Sequence, residues 1–190
     1  PPSTPTGSSH PAACGRRTGG CDGHADELPE KGSYLIWDKL QVPIVVVNSG
    51  DDKIKAYYNT CRHRGAPVVT EKKGKARLLV CTYHGWSYDL DGKLKAAPHL
   101  GGTNQHKPKG FNFSDHGLKS IRTHIWHDWI FINFNGKAKK FEEYARPLIK
   151  KFDDIDLTKL KYATTLDFGK INTKRQLIVK HNLPLYFITT

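Results

Sequence analysis

Four residues in two short pairs have the chemistry of metal ligands: Cys61-Arg62-His63 and Cys81-Thr82-Tyr83-His84, with the seventeen residues from Arg64 to Val80 between them. Thiolate and imidazole in equal number suit a mixed-ligand [2Fe–2S] centre, in which cysteines hold one iron and histidines the other. Each pair then serves both irons. One or two intervening residues let the two side chains diverge at a loop tip, and two such loops must face each other. The same four residues could form a Cys₂His₂ zinc site, which wants tetrahedral nitrogen and sulfur ligands. Zinc fingers usually group like with like, as Cys-x-x-Cys and His-x₃₋₅-His, whereas each arm here mixes the two types. A third reading is two buried cysteines and two surface histidines with nothing in common. Pairing and context favour iron–sulfur.

The neighbours of these residues bring a family into view. Cys61-Arg62-His63-Arg64-Gly65-Ala66 and Tyr83-His84-Gly85-Trp86-Ser87-Tyr88-Asp89 closely resemble the two cluster loops of Rieske non-haem iron oxygenases, the ring-hydroxylating dioxygenases with related mono-oxygenases and demethylases. The run-in from Gly23 to Gly32 resembles that family too. The respiratory branch of Rieske proteins typically adds a cysteine to each loop to form a disulfide, but Arg64-Gly65-Ala66 and Thr82-Tyr83 supply no thiol. The resemblance implies that Cys61 and Cys81 hold the ferric iron as thiolates, while His63 and His84 hold the iron that accepts the electron. It also implies a ferredoxin or flavin reductase as electron donor, and a homotrimer in the full-length form. A mononuclear Fe(II) in the full-length protein would activate O₂ on an organic substrate, aromatic or amine.

Around the ligands, Gly65 and Gly85 suit positive φ or close approach of the backbone to sulfide. Pro67 fixes its own φ and biases Ala66 toward extended backbone, holding the first loop in shape. Trp86 and Tyr88 read first as core aromatics, with shielding of the cluster a result of that packing.

Strands must bring the two loops together, and the residue pattern supplies them. Ser33–Leu40 and Pro43–Asn48 read as strands, followed by a turn at Ser49-Gly50-Asp51-Asp52 and a third strand, Ile54–Asn59, that delivers Cys61. Arg77–Val80 is a short apolar strand leading into Cys81. Trp86–Tyr88 and Lys93–Leu94 flank Asp89-Leu90-Asp91-Gly92, a hairpin turn with glycine where φ must be positive. Lys119–Trp126 and Trp129–Asn135 form another hairpin about His127-Asp128, and the unbroken Trp129-Ile130-Phe131-Ile132 suggests a strand covered on both sides. From Phe141 the period becomes helical: Phe141, Tyr144, Ala145, Leu148, Ile149 and Phe152 form one stripe, kinked or interrupted at Pro147. Lys161–Phe168 reads as a further strand.

The expected fold class is therefore mainly β: a Rieske-type antiparallel β domain with two cluster-binding loops, a C-terminal helix and the start of an α+β catalytic domain. Residues 1–22 read as a disordered lead rich in Pro, Ser, Thr and Gly, 23–138 as the [2Fe–2S] domain, and 139–190 as the helix with an incomplete catalytic domain. Here the chain departs from the family, whose next segment supplies the 2-His-1-carboxylate iron site. After Asp167 there is no carboxylate and only His181, which reads as an ordinary surface or packing residue. The expectation is that the catalytic iron site is absent from this chain, as in a fragment or an altered C-terminus.

Composition bounds the remaining classes. The formal charge of +12 comes from lysines spread along the 190 residues without any nucleic-acid-binding module, so a solvated basic surface is expected, with steering of an acidic electron donor as a second use. No apolar run approaches the ~18 residues of a membrane span, and nothing at the N-terminus resembles a signal peptide, so a cytoplasmic location is expected. Cys14 and Cys21, with six residues between them, read as free thiols. His10, His24, His99, His106, His116, His124 and His127 follow no ligand spacing and read as surface residues. Two alternatives to an oxygenase component stand: a stand-alone Rieske ferredoxin carrying electrons, or a zinc-binding module.

Overall fold

The computed structural model describes residues 20–37, 42–51, 53–103, 106 and 108–156, with side chains from residue 23 onward. Most of the lead and the expected strand Lys161–Phe168, with everything after it, lie outside the described residues.

Among the described residues ten strands form, in chain order: β1 Gly20–His24, β2 Ser33–Trp37, β3 Ile44–Asn48, β4 Ile54–Tyr58, β5 Lys73–Lys75, β6 Leu79–Val80, β7 Ser87–Tyr88, β8 Leu94–Ala96, β9 Ser120–Trp126 and β10 Trp129–Asn133. Seven make one antiparallel sheet in the order β1-β10-β9-β4-β3-β2-β5, and β6-β7-β8 make a second, smaller one.

β3 is covered on both faces. Ile44-Val45-Val46-Val47 is β-branched throughout, which suits a pleated strand, and all four residues are fully buried. Val45 and Val47 enter a core with Tyr57, Leu79, Cys61, Cys81, Trp86 and Tyr88, whereas Ile44 and Val46 enter another with Leu35, Trp37, Ile121, Ile130 and Ile132. Alternation along one strand thus feeds two cores, and the first of them carries the paired cysteines. The turn after β3 is where the sequence places it. Gly50 and Asp51 take φ of 100° and 50°, and the Asn48 carboxamide oxygen accepts from the Gly50 N–H.

The small sheet is clamped to the large one through the Asp89–Lys93 turn. Asp89 accepts from the N–H groups of Asp91 and Lys93, and Gly92 takes φ of 77° with no room for a side chain, since a Cβ there would lie 2.5 Å from Tyr57 Cε1. The Tyr57 hydroxyl donates to the Leu90 carbonyl, and the Leu118 N–H donates to that of Gly92.

Two expectations need adjustment, where the sheet begins and where Tyr144 lies, while the interruption of the helical stripe near Pro147 stands. β1 begins at Gly20, ahead of Gly23 where organisation was expected; backbone pairing with β10 forms it, without any apolar pattern. The helical stripe divides into α1 Phe141–Tyr144 and α2 Arg146–Phe152, with Pro147 in the first turn of α2, where a missing N–H costs nothing. That break turns Tyr144 out of the stripe to 72 % exposure, while Ala145 and Phe152 stay buried. The aromatic rings of Phe141 and Phe152 lie against Phe131 and Trp129, so β10 is covered on both sides as expected.

Candidate metal centre

Two loops of the same backbone design face each other. In the first, the Cys61 N–H donates to the Ala66 carbonyl at 2.7 Å and the Gly65 N–H to the Cys61 carbonyl at 3.0 Å. In the second, Cys81 and Gly85 make the equivalent bonds, to the Trp86 and Cys81 carbonyls, each at 2.9 Å. Gly65 and Gly85 have φ of 76° and 69°, so positive φ is the reason for glycine that the structure shows at both. The first loop follows β4 of the large sheet, and the second joins β6 to β7 of the small one.

Asn59, buried at the end of β4, fixes the return of the first loop. Its carboxamide oxygen accepts from the N–H groups of Val68 and Val69, and its NH₂ donates to the Val69 carbonyl. Nothing in the sequence pattern marks this residue, because an asparagine after a strand is ordinary turn composition.

The four residues singled out from the sequence lie in two pairs, sulfur with sulfur and nitrogen with nitrogen. Cys61 and Cys81 are buried free thiols within hydrogen-bonding reach of each other. The rings of His63 and His84 lie 4.7 Å apart between centroids, at 70°. His63 is half-buried and His84 exposed. His63 Nδ1 is buried with no hydrogen-bond partner, which a side chain in a folded protein rarely tolerates. Among the described residues, no three or more His, Cys, Asp and Glu side chains converge as one metal ion would need. An arrangement with two sulfurs at one end and two imidazoles at the other disfavours a single tetrahedral zinc and fits a group that spans two metals.

The surroundings tune the donors. Tyr88, fully buried, accepts the Arg62 N–H at 3.0 Å, leaving its own O–H to donate to Cys61 Sγ at 3.2 Å. Tyr88 therefore contacts a candidate ligand directly, which its reading as a core aromatic did not capture. Burial pushes the Cys61 thiol above its usual range, opposed by hydrogen bonds from the Tyr88 hydroxyl and the His63 backbone. Burial also pushes the Tyr88 hydroxyl up. The His63 imidazole is held below its ordinary value by burial, then by the charges of His84 and Arg64, so its neutral, lone-pair-bearing form is favoured. Trp86 stacks flat on His63, with centroids 4.8 Å apart and planes 6° from parallel, and meets Phe111 and His116 edge-on.

The other described histidines take no part. His24 Nδ1 bonds Asp128 at 2.9 Å and His116 Nδ1 bonds the Asn112 carbonyl. His124 stacks on Phe141, His127 sits in the β9–β10 turn with φ of 54°, and His99 donates its N–H to His106. His24, His116 and His124 are only partly exposed, so they are packing residues rather than free surface ones. No helix among the described residues is long and apolar enough to cross a membrane.

Comparison with known proteins agrees with this geometry. Residues 20–107 match the family model of the Rieske [2Fe-2S] domain. The chain is 29 % identical over 160 residues to the glycine betaine monooxygenase oxygenase subunit of Chromohalobacter salexigens, covering 84 % of this chain and 34 % of that one. It is 34 % identical over 131 residues to the biphenyl dioxygenase subunit alpha of Paraburkholderia xenovorans, covering 66 % and 28 %. A naphthalene 1,2-dioxygenase structure matches with a TM-score of 0.64 at 27 % identity, over 73 % of this chain and 30 % of that one. A quaternary ammonium Rieske monooxygenase, whose structure is described in terms of carnitine oxidation and inter-subunit electron transfer, matches at 0.60 and 25 % over 71 % and 37 %. The chain thus spans about a third of the length of the curated relatives it matches. These relatives favour the oxygenase reading over a stand-alone ferredoxin or a zinc module. With its paired thiols, paired imidazoles and matching loops, the chain carries a Rieske [2Fe–2S] domain and is similar over it to the oxygenase subunits of Rieske monooxygenases and dioxygenases.

Proposed function

We propose that Cys61 and Cys81 hold one iron of the cluster, that His63 and His84 hold the other, and that this domain relays single electrons within an oxygenase. When bound, the cluster supplies one-electron chemistry. The protein's contribution is to bury the thiols, present the imidazoles and keep the sulfur end dry. The observation that carries the assignment is the buried, partnerless Nδ1 of His63 beside the exposed ring of His84 and across from the paired thiols. Neutral imidazole in place of thiolate leaves less negative charge at the centre and raises its potential.

On this reading electrons arrive from a ferredoxin or flavin reductase and pass to a mononuclear iron in the full-length protein, which oxidises an aromatic or amine substrate. The relatives include enzymes named for both substrate classes. A homotrimer, a cytoplasmic location and the division into a lead of 1–22, a [2Fe–2S] domain of 23–138 and a catalytic segment from 139 complete the proposal.

Metal analysis with electron paramagnetic resonance tests it. The purified protein is expected to hold about two irons per chain with a Rieske-type signal, and Cys81→Ser and His84→Ala are each expected to abolish it. Stoichiometric zinc in place of iron, or a signal unchanged in both variants, refutes the assignment.

A further inference from the structure

Only two buried side-chain nitrogens or oxygens among the described residues have no hydrogen-bond partner, His63 Nδ1 and Trp86 Nε1, and they belong to two rings stacked face to face. For His63 the cluster reading supplies the missing partner, because that nitrogen takes an iron. For Trp86 it does not, since an indole N–H is a donor only and cannot ligate a metal. A buried donor left unpaired is costly, and the indole is 2 % exposed, so water does not reach it. Phe111 and His116, the rings against its edges, offer no hydrogen bond to it: the first has no acceptor, and Nδ1 of the second donates to the Asn112 carbonyl while its lone-pair nitrogen, Nε2, lies out of hydrogen-bond reach of the indole N–H. What this site calls for and the described residues do not provide is an acceptor beside the His63 ring, and the sulfides of a [2Fe–2S] cluster are acceptors of that kind.

We propose that Trp86 is a positioning residue of the cluster, holding the His63 ring by stacking and donating its Nε1–H to a cluster sulfide. The inference rests on the ligand assignment above and adds a second function to a residue that reads as core packing. A hydrogen bond to sulfide stabilises the more negative reduced state, so it raises the reduction potential. The stack and the hydrogen bond are separable: phenylalanine keeps a flat ring against His63 and removes only the N–H.

The test uses the iron-loaded protein. Trp86→Phe is expected to keep the parent's iron content and Rieske-type resonance signal while its potential, followed by spectroelectrochemical titration, falls below the parent's. Equal potentials in parent and variant overturn the inference and leave the ligand assignment standing; absence of the signal from the parent overturns the assignment itself. Should Trp86→Phe fail to load iron, the unaltered protein gives the answer. Grown with ¹⁵N-indole tryptophan and reduced by one electron, it is expected to show a ¹⁵N hyperfine coupling in pulsed paramagnetic resonance, assignable because Trp86 alone of the four tryptophans adjoins the ligands. No such coupling means that the N–H points elsewhere.

Discussion

At the scale of single residues, the site works through what each donor is denied. Cys61 is shut away from water, and its sulfur is met by the Tyr88 hydroxyl and the His63 backbone N–H. Both hydrogen bonds spread negative charge off sulfur, and both favour the electron-rich state once metal is bound. Tyr88→Phe preserves the ring in a core that excludes solvent and removes only that donor. It is expected to retain iron and to lower the reduction potential in a voltammetric measurement; a potential unmoved by the change means that the 3.2 Å contact has no electronic effect. The candidate donors stood out in the sequence because sulfur and imidazole at such spacing have few uses. The donor to Cys61 did not, since a buried tyrosine twenty-seven residues away in sequence looks like any other core aromatic until the loops are folded.

At the scale of elements, the sequence shows those whose side chains pay attention to a core and hides those built by backbone alone. β3 and β10 each open on an unbroken apolar run of four residues; β3 is wholly buried, and β10 is buried or half-buried throughout. β5 reads Lys73-Gly74-Lys75, fully exposed, and has no period at all; it pairs with β2 at the rim of the sheet, where short charged strands discourage edge-to-edge association. Gly74 is required there because a Cβ would lie 2.8 Å from Tyr34 Oη. Asn59 is the other hidden piece, one carboxamide closing three hydrogen bonds to a loop. Asn59→Ala strands buried backbone groups and is expected to destabilise the fold by about 1–3 kcal/mol in denaturant titration, with weaker iron retention; a loss below about 0.5 kcal/mol would show that water replaces the carboxamide.

The Asp89–Lys93 turn gives a pH-dependent case. Lys55 pairs with Asp91 and holds its carboxyl below the usual carboxylate value. A lowered folded-state value stabilises above the unfolded-state one, and that stabilisation is lost as pH falls through the folded-state value. Both partners are exposed, so the pair is worth only about 0.2–1 kcal/mol. Asp91→Asn is expected to cost that little at neutral pH and nothing in strong acid; a difference that persists or grows in acid refutes the pairing as its cause.

At the scale of the whole molecule, the charge of +12 is distributed without a nucleic-acid module, yet Arg62 and Arg64 are exposed on either side of His63. A donor protein with an acidic face would be drawn toward the cluster loops at long range. Its second-order rate of reducing the iron-loaded protein is expected to fall steeply in stopped-flow measurements as salt rises from about 0.02 to about 0.5 M. A flat profile rules out steering. The chain spans about a third of its relatives, and the part it spans is the one whose chemistry its own residues declare.

The two cysteine loops spring from different sheets, one from the end of β4 and the other from the link between β6 and β7. A cofactor bound by both is consequently also a rivet, joining layers that otherwise meet through apolar contacts and a few hydrogen bonds around Tyr57 and Tyr88. Losing it would loosen the seam as well as silence the redox chemistry, so iron supply and mechanical integrity in this domain are one variable.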